Sequence, residues 1–240
     1  MIKKFELDLS SKITVFGIEL FRVKALISFG NVKEGELGGY IAKEGNLSHS
    51  GDAWVYGNAW VYGNAKVSGN AEVSGNAWVS GDAWVYGNAK VSGNAEVSGN
   101  AEVSGNAWVS GDAWVYGNAW VSGDTWVYGN AKVSGNARVS GDAKVSGNAR
   151  VYGDAEVSSN ARVSGDAEVS KLNDHIVFKN SWSSGRYFTY TRSNQKWRVG
   201  CFYGTSEELI KKAYQDSEDS GRHYEAYVNF VKTLEALDDK

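Results

Sequence analysis

The imidazole and thiol side chains in these 240 residues number four, candidates for nucleophile, base or metal ligand: His49, His175, His223 and Cys201. A thiolate beside an imidazole is a nucleophile, and a set of imidazoles can hold zinc. Yet Val199, Cys201 and Tyr203 alternate as they would along one strand, so Cys201 reads as a small buried hydrophobe. No histidine falls between Ser50 and Ser170. Aspartate recurs at Asp52, Asp82, Asp112, Asp124, Asp142, Asp154 and Asp166. Calcium-binding repeats have a nine-residue period, whereas these follow multiples of six, so they read as corner residues at which Asp and Asn interchange. No catalytic, cofactor or metal site is expected. What remains is aromatic: Trp54, Trp60, Trp78, Trp84, Trp108, Trp114, Trp120 and Trp126. Large outward rings mark contact surfaces. They also pair with one another, or stack on sugars and bases. These eight form the candidate contact surface.

The element that must position them is a repeat. From Gly51 to Ser170 the chain is twenty copies of Gly-[Asn/Asp]-Ala-x-Val-[Ser/Tyr], broken only by Thr125 in the alanine slot and Ser159 in the glycine slot. Alanine and valine face one way while x and the last residue face the other, the period of a strand. Gly-Asn or Gly-Asp supplies a corner, because these residues tolerate positive φ. Strands this short find partners by stacking coil upon coil. Each of these eight tryptophans occupies an x slot, and five are followed two residues later by tyrosine: Tyr56, Tyr62, Tyr86, Tyr116 and Tyr128.

This pattern resembles the hexapeptide-repeat family of left-handed parallel β-helices, whose aliphatic-x-x-x-small-x motif reads here as Val-[Ser/Tyr]-Gly-[Asn/Asp]-Ala-x. The resemblance implies three hexads, about 18 residues, per coil. With Gly45–Ser50 as a degenerate extra hexad that places His49 in a valine slot, seven whole coils result. Face one then carries Trp54, Trp108 and Trp126, face two Trp60, Trp78 and Trp114, and face three Trp84 and Trp120. Residues 75–89 and 105–119 are identical at an offset of thirty, so the duplicated tryptophans land on different faces. Opposite charges meet at the eighteen-residue offset in Glu72–Lys90, Arg138–Glu156 and Arg150–Glu168, but Lys132–Arg150 and Lys144–Arg162 are like-charged.

The flanks lack the hexad. Residues 1–44 read as a β-cap: Lys4–Leu9 and Ile13–Phe16 alternate like strands, Ile18–Ile27 is apolar, and Phe29–Gly39 reads as turns. Residues 45–170 are the β-helix and 171–240 a compact α+β module that closes the far end. In that module His175–Phe178, Arg186–Arg192 and Trp197–Tyr203 read as three strands. Thr205-Ser206-Glu207-Glu208 opens a helix through a capping box. Ser220 caps a second helix with Tyr227, Phe230, Val231, Leu234 and Leu237 on one face. The run Gly200-Cys201-Phe202-Tyr203-Gly204-Thr205-Ser206-Glu207-Glu208-Leu209 resembles a GCFxGTxEEL-type module of phage and prophage repeat proteins.

Net charge is −3 with no basic stripe, which disfavours general nucleic-acid binding. One cysteine precludes an intrachain disulfide and suits a reducing cytoplasm. The fold class expected is thus an all-β solenoid with an N-terminal β-cap and a small C-terminal α+β module. The function expected is that of a non-enzymatic binding or scaffold protein of phage or prophage origin, cytoplasmic and free of cofactor. Its resemblance to trimeric relatives implies a homotrimer, and its bound factor is a host protein or nucleotide-like signal. Two rival classes remain, an acyltransferase and a virion component. The acyltransferases that the repeat resembles use a mid-coil histidine, and this chain has none.

Overall fold

The computed structural model describes residues 2–238. These fall into two compact units, one ending at Asp174 and one beginning at His175. In the first, an N-terminal hairpin of β1 (Phe5–Val15) and β2 (Ile18–Ala25) leads to β3 (Leu37–Ile41). Each hexad then supplies one two-residue strand, its x residue and its valine, from β4 (Trp54–Val55) to β23 (Glu168–Val169). Strands pair in parallel at the expected offset: Val97 lies between Val79 and Val115. The result is a parallel β-solenoid of about seven turns with about 18 residues per turn. Its three faces are sheets of seven strands (face one), ten strands including β1–β3 (face two) and six strands (face three).

The core is the valine and alanine of each repeat, essentially all with no exposed surface. A buried valine contributes about 1.5–2 kcal/mol, so stability accumulates rung by rung. The corner glycine meets two demands. At Gly93 φ is 70°, and a Cβ there would sit 2.9 Å from the backbone nitrogen of Gly111 in the next coil. Ser159 keeps the left-handed φ of 57°, but the solenoid ends at Val169, so no repeat glycine stands eighteen residues beyond it. Thr125 is buried in its alanine slot because its hydroxyl donates to the Ser122 carbonyl at 2.5 Å.

Corner asparagines form ladders: Asn100 donates to Asn118 (3.0 Å), Asn118 to Asn136 (3.0 Å) and Asn136 to Asp154 (2.9 Å). The same holds from Asn70 through Asn88 and Asn106 to Asp124. Asp82, Asp112 and Asp166 likewise accept at the end of a run. An ionised carboxylate accepts but cannot donate. Asp and Asn are therefore not interchangeable, contrary to expectation: an aspartate terminates a ladder.

The first coil departs from the expected register. Leu47 bridges Val67 and Ile41 pairs with Val61, both at an offset of twenty. Two extra residues lie in the corner after Leu47, so Leu47, not His49, fills the valine slot. Leu37, Gly38 and Gly39, expected as the end of a turn segment, belong to the strand Leu37–Ile41 of that coil. Gly38 and Gly39 permit its close approach, since a Cβ on Gly38 would lie 2.4 Å from the Val55 carbonyl oxygen.

An open solenoid end exposes carbonyls that need donors. On face two β3 provides them, with the Tyr40 and Ala42 amides donating to Ala59 and Val61. On face three the buried Asn46 side-chain amide donates to the Gly63 and Ala65 carbonyls at 3.2 and 2.8 Å. On face one the Lys4 Nζ donates to Gly51 and Ala53 at 3.1 and 2.8 Å. Lys4 is only 2% exposed, and its Nζ also lies 4.6 Å from the Phe29 ring. At the other end Asp174 accepts from the Ser170 and Lys171 amides.

The second unit is an antiparallel sheet of β24 (His175–Lys179), β25 (Tyr187–Thr191), β26 (Lys196–Val199) and β27 (Phe202–Gly204), with α1 (Ser206–Asp216) and α2 (Glu218–Asp238). The expected third strand is two, because Gly200 (φ 57°) and Cys201 form a turn that leaves Cys201 exposed rather than buried. Thr205 and Glu208 make the capping box of α1. The hydroxyl of Ser217, not of Ser220, caps α2 by accepting from the Ser220 amide at 3.1 Å. The core gathers Phe188, Tyr190, Trp197, Leu209, Val228 and Val231. Leu237 is exposed, unlike the apolar face expected for it, and Phe230 is half-exposed with its ring edge-on to Phe178 at 6.2 Å.

Candidate functional site

The x slots place the eight tryptophans on the three faces as expected, but their surroundings divide them. Trp54 has no exposed surface. Phe29 packs against it at 5.3 Å and Phe5 at 6.3 Å, both edge-on. It is a core residue of the N-terminal end and drops out of the contact surface. The reason is local: β1 and the Phe29 turn lie over the first rung of face one, which the hexad pattern does not reveal. Trp60 and Trp78 are half-buried, stacked on each other at 5.1 Å and 11°. Phe16, at the tip of the β1–β2 hairpin, meets Trp78 edge-on at 5.9 Å.

Five tryptophans remain open: Trp84, Trp108, Trp114, Trp120 and Trp126, each 40–44% exposed. Trp108, Trp114 and Trp120 belong to one coil and lie one on each face. They form a girdle at a single height, and Trp126 follows Trp108 on face one at 5.5 Å and 64°. The next coils supply a cation over three of these rings. Lys132 lies 4.6 Å from Trp114, Arg138 5.4 Å from Trp120 and Lys144 4.2 Å from Trp126. Each contact is worth about 0.5–1 kcal/mol at an exposed site. These contacts also ease the like-charged neighbours Lys132–Arg150 and Lys144–Arg162, because both lysines reach toward a tryptophan. The signal was legible as a tryptophan followed eighteen residues later by Lys or Arg. Of the opposite-charge pairs, Glu72–Lys90 closes at 3.4 Å and Arg150–Glu168 at 3.5 Å.

The indoles are held as well as displayed. Trp84 Nε1 donates to Ser68 Oγ at 3.1 Å and Trp108 Nε1 to Ser92 Oγ at 3.0 Å, in each case back toward the preceding coil. Tyr86 packs on Trp84 at 4.8 Å and donates to Glu102 at 3.2 Å. On face one the step from the flat Glu72–Lys90 pair up to Trp108 and Trp126 leaves a hollow of about 500 Å3.

The titratable candidates lie elsewhere: Cys201 is exposed on its turn, while His49 and His223 pack against aromatic rings. His49 stacks on Phe5 at 4.3 Å, takes the Lys4 amide hydrogen on Nδ1 at 3.1 Å, and meets Glu44 through Nε2 at 2.7 Å. His223 stacks on Trp182 at 4.5 Å. Burial pushes the Tyr190 phenol above its ordinary range, and its hydrogen bond to Glu235 (2.6 Å) adds to the effect. Among the described residues no three His, Cys, Asp or Glu side chains converge as a metal site. Among them, too, no helix is long and apolar enough to cross a membrane.

A family model described as the YdcK beta solenoid repeat matches residues 131–146 and 143–159. Comparison with curated proteins finds no match. The matched coils are the charged ones beyond the last tryptophan of the repeats, Trp126. There the chain is similar to a known β-solenoid repeat, and the aromatic girdle lies outside that similarity.

Proposed function

We propose that the protein is a non-enzymatic binding scaffold whose coils assemble as a parallel homotrimer through the tryptophan girdle. The carrying observation is that Trp108, Trp114 and Trp120 stand on three faces of one coil, all substantially exposed. Copies aligned in parallel and in register bring girdle to girdle at one height, and a rotation that closes gives a ring of three. An outward ring buried at the centre of such an interface is a strong anchor, about 2 kcal/mol or more. Both ring nitrogens of His49 are occupied within the N-terminal cap, which speaks against its use as an acyltransferase base. The C-terminal resemblance adds a phage or prophage origin and a host factor in the cytoplasm as the bound species.

Light scattering tests the assembly. The wild type should have the mass of three 26.0 kDa chains. Trp114→Ser/Trp120→Ser should fall to one chain that still unfolds cooperatively, with a lower melting temperature because the Lys132 and Arg138 contacts and the assembly are lost, and retention of the wild-type mass would refute the reading.

A further inference from the structure

We infer that the hollow on face one is a carbohydrate subsite, shaped for a short, neutral, linear oligosaccharide. It rests on the scaffold reading in one respect: a three-faced rod in a closed ring of three meets two neighbours, so one face stays free for a ligand.

The apolar part of the site is pre-set. Trp108 lines the hollow, its indole fixed by the bond to Ser92 and by the edge of Trp126, whose own ring carries Lys144. An aromatic wall that is already ordered costs little entropy when it binds. The polarised C–H groups on the flat side of a pyranose ring suit the negative face of such an indole.

The polar part is a rail. Asn88 and Asn106 border the hollow within one ladder, each accepting one bond from the coil before and donating one to the coil after. A primary amide has two N–H groups and two acceptor lone pairs. The ladder therefore leaves one donor and one acceptor per residue, repeated at the rung spacing of about 4.8 Å. Hydroxyl groups, which both donate and accept, match that rail. Ser74 adds a hydroxyl to the lining.

Charge selects among ring-shaped ligands. The floor holds one cation and one anion, Lys90 and Glu72, already paired at 3.4 Å. A nucleotide phosphate would meet a lysine that is already neutralised and a carboxylate that repels it. A neutral sugar meets neither penalty, and the pair offers it further hydrogen-bonding groups. The four rungs from Glu72 to Trp126 give the hollow a length of about 14 Å, room for a chain of linked rings rather than a single one.

The test titrates cellotetraose, maltotetraose, tetra-N-acetylchitotetraose and adenosine monophosphate into the full chain by calorimetry, up to about 10 mM. At least one tetrasaccharide should bind, more tightly than the nucleotide. Trp108→Ala should weaken it roughly tenfold or more, as should Asn88→Leu, while Glu156→Ala on face three leaves it unchanged. Binding should persist in the Trp114→Ser/Trp120→Ser chain, which separates this site from the assembly. The inference is overturned if none of the sugars binds, if the nucleotide binds better, or if Trp108→Ala binds like Glu156→Ala. Capture of a protein through face one in place of any sugar would overturn it too.

Discussion

Lys4→Met removes the charged staple that closes face one at its N-terminal end. Methionine keeps a similar apolar stem and leaves the Gly51 and Ala53 carbonyls without their donor. A buried polar group left unpaired costs about 1–3 kcal/mol, so the two together should cost about 3 kcal/mol. The lysine also makes the end pH-dependent. Burial lowers its pKa from 10.5 to about 8, opposed by the attraction of Asp52. Between those values the unfolded chain holds a proton that the folded chain has released. Stability from this group is therefore lowest below pH 8 and rises as pH climbs toward 10.5, by at most about 3 kcal/mol. Neutral Lys4 still has two N–H donors for its two carbonyls, so the staple survives deprotonation. Urea unfolding from pH 7 to 10.5, with hydrogen exchange of residues 51–60 as the local probe, should show the gap between wild type and variant widening with pH. A gap that stays constant or narrows would refute the assignment of Lys4 as a desolvated cap.

Two further substitutions test the corners. Asn118→Asp can still accept from Asn100 but cannot donate to Asn136, so it should cost about 1 kcal/mol at neutral pH in a urea melt. Ser159→Gly removes a left-handed strain at a position with φ of 57° and should stabilise the solenoid by about 1 kcal/mol, read by the same melt.

The solenoid was legible because each of its requirements has its own residue type at a fixed spacing. Valine fills the interior, glycine takes the positive φ, and asparagine spans the coils. Outside that rhythm, local patterns misled. Gly38-Gly39 looks like a turn, yet the missing side chains serve close approach to the Val55 and Ala59 carbonyls within a strand. The hexad at Gly45–Ser50 can be aligned without a gap, but leucine is too large for an alanine slot, so Leu47 moves to the valine slot and two residues bulge. Cys201 sits in an alternating run whose continuity depends on Gly200, and Gly200 turns the chain instead. The candidate surface was legible as far as outward direction. What hid Trp54 was tertiary: the N-terminal segment folds back onto its rung, and nothing in the repeat itself encodes that contact.

The assembly is tested most directly by cross-linking at the girdle. Two single-cysteine proteins in a Cys201→Ser background, Tyr116→Cys on face two and Ser122→Cys on face three, place their thiols on the coil that carries Trp114 and Trp120. Mixed and mildly oxidised, they should join to each other, because a parallel in-register ring sets face two of one chain against face three of the next. Tyr116→Cys mixed with Ser140→Cys, one coil further along face three, should not. Equal cross-linking of both mixtures, or of neither, would contradict the account.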